Sequence, residues 1–453
     1  MKHKLILLTT LTLCTFLIFS GCKKNNDNNN RKTIGYLYTT TNGEGINQVV
    51  RFSRFEDGSL ADETAYTTNS KGGANVNAGG DAHGDFDAQG AVQIIGDYLL
   101  NVNAGGNTVS LFSLNRSSGD LAFKSNTPSG GTRPVSIAYT KKTGSSNEYW
   151  VVVGNQWNNP NVQKDGKEIE RYPNNAFFTQ DLKKPDASDM ERNIQLFTFN
   201  SSLGTLKPEK LLDNYVRENG GPTTVSFSDD GTKLAVATWG IAHFNTQKTS
   251  LDEQHPSRVY VYNFSNGNVT GRRYFEEAGI AGTIGFSWAK GSNNRIYVSN
   301  FNLIPTKRDN SVTVLTDNSG TVIKSANYSV TSGTGITESC WTALNSTGEK
   351  LYVASFATNL ISTFNSNSSG LTYSAFEARG GVAPAGDSKD IYITPDDRHL
   401  YNLGAFQSFS INGFTITGNS VNYKSQTFLS TTAAGAGTPG KYNFLGLMGY
   451  DIK

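Results

Sequence analysis

The chain has 453 residues, with 40 basic against 38 acidic side chains, a formal net charge of +2 and only 17% charged residues. That balance excludes the strongly basic surface that nucleic acid or an anionic membrane face demands. With 47 glycines, 11% aromatic residues and three cysteines, the composition points away from helical bundles and disulfide scaffolds, toward many short strands joined by tight turns.

Lys2 and Lys4 precede an apolar run from Leu5 to Phe19 that stops at Ser20-Gly21-Cys22. The run is too short to span a bilayer and leaves through small residues, so residues 1–21 read as a signal peptide. The ending resembles a bacterial lipoprotein box, with Phe19 where leucine is more usual, and this implies that Cys22 is lipidated and becomes the N-terminus. The alternative is an ordinary cleavable signal peptide. The following stretch, KKNNDNNNRK, has no apolar residue to bury and predicts a solvated tether over residues 22–32. The expected address is the bacterial cell envelope, lipid-anchored, most simply at the outer membrane and facing the periplasm or the surface. Loss of residues 1–21 removes two lysines, leaving 38 basic and 38 acidic residues. It also removes Cys14, so beside the lipid site Cys22 only Cys340 remains and no disulfide framework exists.

From residue 33 onward the chain repeats. Seven segments combine a polar turn, a glycine and a following strand: EDGSL at Gly58, SSGDL at Gly119, SLGTL at Gly204, SNGNV at Gly267, NSGTV at Gly320, SSGL at Gly370 and ITGN at Gly418. Upstream of each lies an alternating strand, beginning at Tyr36, Tyr98, Tyr149, Lys233, Arg295, Lys350 and His399. A further strand precedes it in each unit, as in TTVSFSDDGTKLAVATW, which makes four antiparallel strands per unit. The first unit lacks its opening strand, while an unassigned strand, YNFLGLMGYDI, follows the last. The predicted fold is therefore all-β: one seven-bladed β-propeller over residues 33–453, its ring closed by the C-terminal strand joining the N-terminal blade. Two packed sandwiches would leave the matched missing and extra strands unexplained.

Blade geometry sets the segment leading into each inner strand on the same face as the turn between the second and third strands. Three long insertions fall in such turns of blades three, four and five, from about Gln156 to Arg192, Gly240 to Ser257 and Asn302 to Asn310. Long loops on a rigid scaffold are usually functional. The lead-in to blade two, GGDAHGDFDAQGAV from Gly79 to Val92, carries Asp81, His83, Asp85 and Asp87 at alternate positions. In an extended strand they stand about 7 Å apart on one side, too far for one ion whose oxygen ligands lie roughly 2.3–2.6 Å away. Three readings stay open: a curled calcium loop, the lip of an active site, or a solvated turn. No cofactor is expected, with calcium in the channel as the alternative.

The stretches YLLNVNAGGNTVSLFSL, SCWTALNSTGEKLYVASFATNLISTF and DIYITPDDRHLY resemble the lactonase-type seven-bladed propellers, the family of 6-phosphogluconolactonases and 3-carboxymuconate cyclases. The likeness runs from about Tyr36 to Lys453 and implies the propeller fold. Characterised 6-phosphogluconolactonase-like members tend to place histidines beside the prolines opening inner strands, whereas this chain has TRPVS at Arg133-Pro134 and GGPTT at Pro222-Thr223.

Opening a lactone requires a base, donors for the developing oxyanion and a cation for an acidic substituent. The candidate catalytic residues are His83 for proton transfer and Glu338 and Asp390 as bases. Arg133 suits a carboxylate or phosphate, Gln89 a water or carbonyl, and Asp85 the substrate. Each has a structural alternative, such as an inter-blade ion pair for Arg133. The expected partner is a small acid or lactone, sugar-derived or aromatic-derived, with a monomeric protein, no nucleic acid, and membrane contact only through the lipid. The competing expectation is a non-catalytic propeller binding a glycan or protein on its loop-rich face.

Overall fold

The computed structural model describes residues 31–43, 45–73, 88–156, 190–216, 220–240, 256–277, 280, 282–300, 311–330, 337–378, 386–405, 407–429 and 444–452. Twenty-eight strands among them form seven four-stranded antiparallel sheets. Residues Thr33–Lys453 are one unit, a seven-bladed β-propeller. The inner strands of blades one to seven are Leu445–Asp451, Val92–Ile95, Pro134–Lys141, Pro222–Phe227, Phe286–Trp288, Ser339–Leu344 and Ser388–Ile393. The glycine turns join third to fourth strands as expected. Gly119 separates Thr108–Leu114 from Leu121–Pro128, and Gly418 separates Ser410–Thr417 from Ser420–Phe428.

The apolar core is not central. Alternation along each strand sends successive side chains to opposite faces, so each blade feeds two interfaces. Leu100 and Val102 of blade two pack with Val151 and Val153 of blade three, while the intervening Val152 packs with Val225 and Val236 of blade four. Seven such clusters occur among the described residues, one per blade interface. Buried ion pairs reinforce some of them: Asp317 of blade five accepts from Arg273 and Lys233 of blade four.

The long connections leave the face where the lead-in segments converge. In blade three the second and third strands are Glu148–Asn155 and Asn193–Asn200, in blade four Lys233–Thr238 and Val259–Ser265, and in blade five Arg295–Asn300 and Ser311–Asp317. Most of their length lies outside the described residues.

The last strand closes the ring. Leu445–Asp451 pairs antiparallel with Thr33–Thr40, setting Tyr36 opposite Tyr450 and Tyr38 opposite Met448. Gly35 lies between Arg54 and Asp451 in the two adjoining ladders. Because Gly35 has no side chain, the wholly buried Arg54 guanidinium reaches across it to an ion pair with Asp451. A Cβ at Gly35 would stand 2.3 Å from the Tyr450 carbonyl oxygen and 2.6 Å from Arg54 Nη2. Removing one partner of a buried pair strands the other charge, at a cost of about 3–5 kcal/mol when both are buried. Asp451 is about one-third exposed, so Asp451→Asn should cost about 2 kcal/mol in denaturant unfolding. Deleting residues 442–453 should cost far more, and an unchanged midpoint in both would refute this closure.

Candidate functional site

The inner strands leave their channel-facing edges without a neighbouring strand, so their backbone groups need other partners. In four of these strands the ladder to the second strand shifts register at the start, between Pro134 and Ser136, Pro222 and Thr224, Ser339 and Trp341, and Ser388 and Ile391. Such bulges re-aim side chains. Here they accompany Ser136, Thr224 and Trp341, whose polar groups bond one short segment, Ala88–Ala91, at the end of the blade-two lead-in.

Gln89 is the centre of that segment. Its backbone N–H donates to Thr224 Oγ1 of blade four at 3.3 Å, and its carbonyl accepts from Ser136 Oγ of blade three at 2.6 Å. Its side-chain amide donates to the Phe286 carbonyl of blade five at 3.2 Å and accepts from the Thr342 N–H of blade six at 3.0 Å. On either side, the Trp341 indole N–H donates to the Ala88 carbonyl at 3.0 Å, and the Ile137 N–H to the Gly90 carbonyl at 2.9 Å. Ala88–Ala91 thus plugs the channel mouth.

Asp390 completes the arrangement from blade seven. It is fully buried, and its carboxylate accepts from its own strand's Ile391 N–H at 2.9 Å and from Leu447 N–H of the closing strand at 3.3 Å. It also accepts from the backbone of Gly90. Burial outweighs these donors and pushes its carboxyl up to about 7. Both oxygens are therefore engaged inside the ring.

Arg133 and Glu338 stand one residue before the inner strands of blades three and six. Both adopt left-handed backbone, with φ of 58° and 53°. The Arg133 carbonyl accepts from Gln156 N–H at 2.9 Å and the Glu338 carbonyl from Phe356 N–H at 2.7 Å, so the two positions are equivalent in their blades. The Arg133 N–H is held by Asn107 Oδ1 at 2.9 Å. Burial pulls its guanidinium below its ordinary value. Eleven non-glycine residues among those described have positive φ; seven are Asn or Asp, which tolerate it, and Arg133 and Glu338 are among the four exceptions. Positive-φ glycines also occur in the lead-ins, two residues before the inner strand at Gly90, Gly220 and Gly386 and four before it at Gly130 and Gly282, but not at the place matching Arg133 and Glu338. Long charged side chains are retained where glycine is conformationally cheaper, the pattern of strain found at functional sites.

Of the residues expected to form a site, Gln89, Arg133, Glu338 and Asp390 all belong to this mouth. Ser136, three residues after Arg133, and Trp341, three after Glu338, bond the plug from blades three and six. His83, Asp85 and the lipid-site Cys22 lie outside the described residues. Cys340 is buried, as packing required. Among the described residues no three His, Cys, Asp or Glu side chains are grouped to hold a metal. Ser136 and Thr224 were missed as parts of the mouth, although both are small hydroxyl residues within two positions of an inner-strand proline.

No protein-family profile matches the chain, and no curated protein is similar to it in sequence. Solved structures are similar in fold. The Pseudomonas aeruginosa periplasmic gluconolactonase PpgL matches with a TM-score of 0.59 at 14% identity, over 91% of this chain and 99% of that one. A Bacteroides fragilis protein carrying a provisional 6-phosphogluconolactonase name matches with a TM-score of 0.56 at 14% identity, over 92% and 98%. A protein from Lactobacillus plantarum matches with a TM-score of 0.60 at 11% identity, over 92% and 99%. The fold is that of the lactonase-type propellers. It agrees with the resemblance read from blades two, six and seven, and identities this low carry no activity with them.

The plug's bonds predict a large response to small changes. Gln89→Ala removes two bonds across the channel and leaves buried backbone groups unpaired, for a loss of about 1–3 kcal/mol in denaturant unfolding. Gly90→Ala forces a side chain into a φ of 85° and should cost about 1–2 kcal/mol. If both variants unfold at the wild-type midpoint, Ala88–Ala91 is not held as described.

Proposed function

We propose that the protein is a lactonase-like hydrolase, or a cyclase running the reverse reaction, acting at the channel mouth on a small acidic lactone derived from a sugar or an aromatic acid. The observation that carries this reading is the placement of Arg133 and Glu338 at equivalent left-handed positions, three blades apart in a ring of seven, on either side of a plugged mouth. Three steps is the greatest separation such a ring allows, so a substrate resting on the plug lies between a cation and a carboxylate. Arg133 binds the carboxylate or phosphate of the substrate through its planar fork. Glu338 activates the attacking water as general base. His83 and Asp85, five and three residues before Ala88 in the chain, supply proton transfer and substrate contact. Gln89 and Asp390 form the floor. The plug closes the mouth from below, which limits the depth of the site and favours a small substrate.

The test is a lactone panel on the purified protein. Glu338→Gln should lower kcat at least tenfold with little change in KM, because proton transfer acts in the transition state. Arg133→Ala should weaken an acidic substrate by about 1.5–3 kcal/mol, the worth of a charge-assisted hydrogen bond, and leave neutral lactones almost unaffected. Arg133→Gly and Glu338→Gly should melt within a few degrees of wild type, because glycine relieves the left-handed strain. Turnover unchanged in Glu338→Gln would overturn the assignment.

A second reading, a propeller binding a glycan or protein without catalysis, is favoured by the connections 156–192, 239–258 and 301–310, which all leave the face of the mouth. No turnover across the panel, with saturable glycan binding lost on deleting residues 157–189, would select it.

The envelope address rests on residues 1–32, and the periplasmic location of the Pseudomonas aeruginosa neighbour is consistent with it. Wild-type protein should partition with membranes, and Cys22→Ser should be released or left unprocessed. Equal partitioning of the two would exclude lipid anchoring.

A further inference from the structure

The bonds made by Gln89 and Asp390 divide the ring between them. The four polar groups of Gln89 reach blades three, four, five and six. The carboxylate of Asp390, in blade seven, reaches the closing strand of blade one and Gly90 at the threshold of blade two. Two side chains and one peptide segment therefore connect all seven blades at the axis.

We propose that Ala88–Ala91 is a keystone whose seat is governed by the charge state of Asp390. The geometry makes this carboxyl special: it is wholly enclosed, it touches three separate chain segments, and every donor it meets is a backbone N–H. The buried Lys389, its neighbour on the same strand, is a charged group that favours its ionised form. The groups that donate to it carry no charge: Gly90 in the plug, Leu447 on the closing strand and Ile391 on its own strand, while the buried Asp387 stands three residues earlier in the chain. Burial disfavours the anion by more than these donors and Lys389 favour it, so this carboxyl takes up a proton more readily than an exposed one.

The sign follows from linkage. The carboxyl titrates near 7 when the plug is seated, against an ordinary value of 3.8 when it is exposed. The seated state is therefore favoured fully below pH 4, loses ground as pH rises toward 7, and loses no more above it. The equilibrium for unseating should climb by about tenfold per pH unit between pH 5 and 7 and then level off.

The experiment uses purified wild-type protein and Asp390→Asn. Carbon-13 NMR should show one aspartate carboxyl with a midpoint near 7 in wild type and none in the variant. Hydrogen exchange at the Gly90, Ile391 and Leu447 amides, corrected for intrinsic rates, should lose protection between pH 5 and 7 in wild type. The wild-type measurements stand alone if Asp390→Asn fails to fold. Every aspartate titrating below 5, or plug protection that is flat with pH in wild type, would overturn the proposal. A folded Asp390→Asn that keeps the wild-type pH dependence would overturn it as well.

Discussion

A propeller buries its apolar surface in wedges between blades, and this leaves a problem at the axis. Seven inner strands present open edges to a channel, and an unpaired backbone group away from water costs about as much as a lost hydrogen bond. Gln89 answers for the N–H of Thr342 and the carbonyl of Phe286, Gly90 for the N–H of Ile137, and Asp390 for the N–H of Leu447. The plug is thus a substitute for missing strand partners. Its position depends on blades three to seven and on the closing strand, so it forms only when the ring is nearly complete.

Closure at the other end of the chain follows a similar logic. The ladder between the first and last strands is backed by the Tyr36 and Tyr38 rings against Tyr450 and by the Thr39 hydroxyl on the Leu445 carbonyl, and Arg54 adds a charged side-chain tie that spans two ladders. That tie exists because Gly35 yields the space a side chain would fill. It contributes specificity more than raw stability, since a buried charge pair recovers little beyond its own desolvation. A register slip would put Asp451 opposite another residue and leave Arg54 buried without a counter-charge.

Much of this was readable in the sequence, and the reason is period. Strands alternate every two residues and turns need glycine at fixed offsets, so the blades, the seven glycine turns and the strand supplied by the C-terminus follow from local pattern. The long connections followed as well, since they interrupt that pattern. The plug did not. Gln89 bonds residues as far away as Thr342, 253 positions on, and no local pattern announces a partner that only ring closure brings near. Asp390 was singled out as a base from its place early in the inner strand of blade seven; its burial against the closing strand could not be read there, because the register shift between Ser388 and Ile391 that accompanies it is absent from any sequence pattern.

Arg133 and Glu338 were singled out for charge and position, yet the stronger argument for them is conformational. A left-handed arginine or glutamate costs roughly 1–2 kcal/mol that glycine would not. Strand geometry alone does not demand this, since Asp387, which occupies the matching place in blade seven with its carbonyl accepting from Ala405 N–H, is not left-handed. Two of the ring's mouth positions therefore carry strain together with opposite charges, while their carbonyls and neighbours are fixed by the same bonds used elsewhere. Strain kept at positions a glycine would relieve is the pattern that marks functional sites, and it is the observation on which the proposed roles of these two side chains rest. The lactonase-type fold supplies a rigid ring for them, and the proposed chemistry is argued from these two residues rather than from the fold.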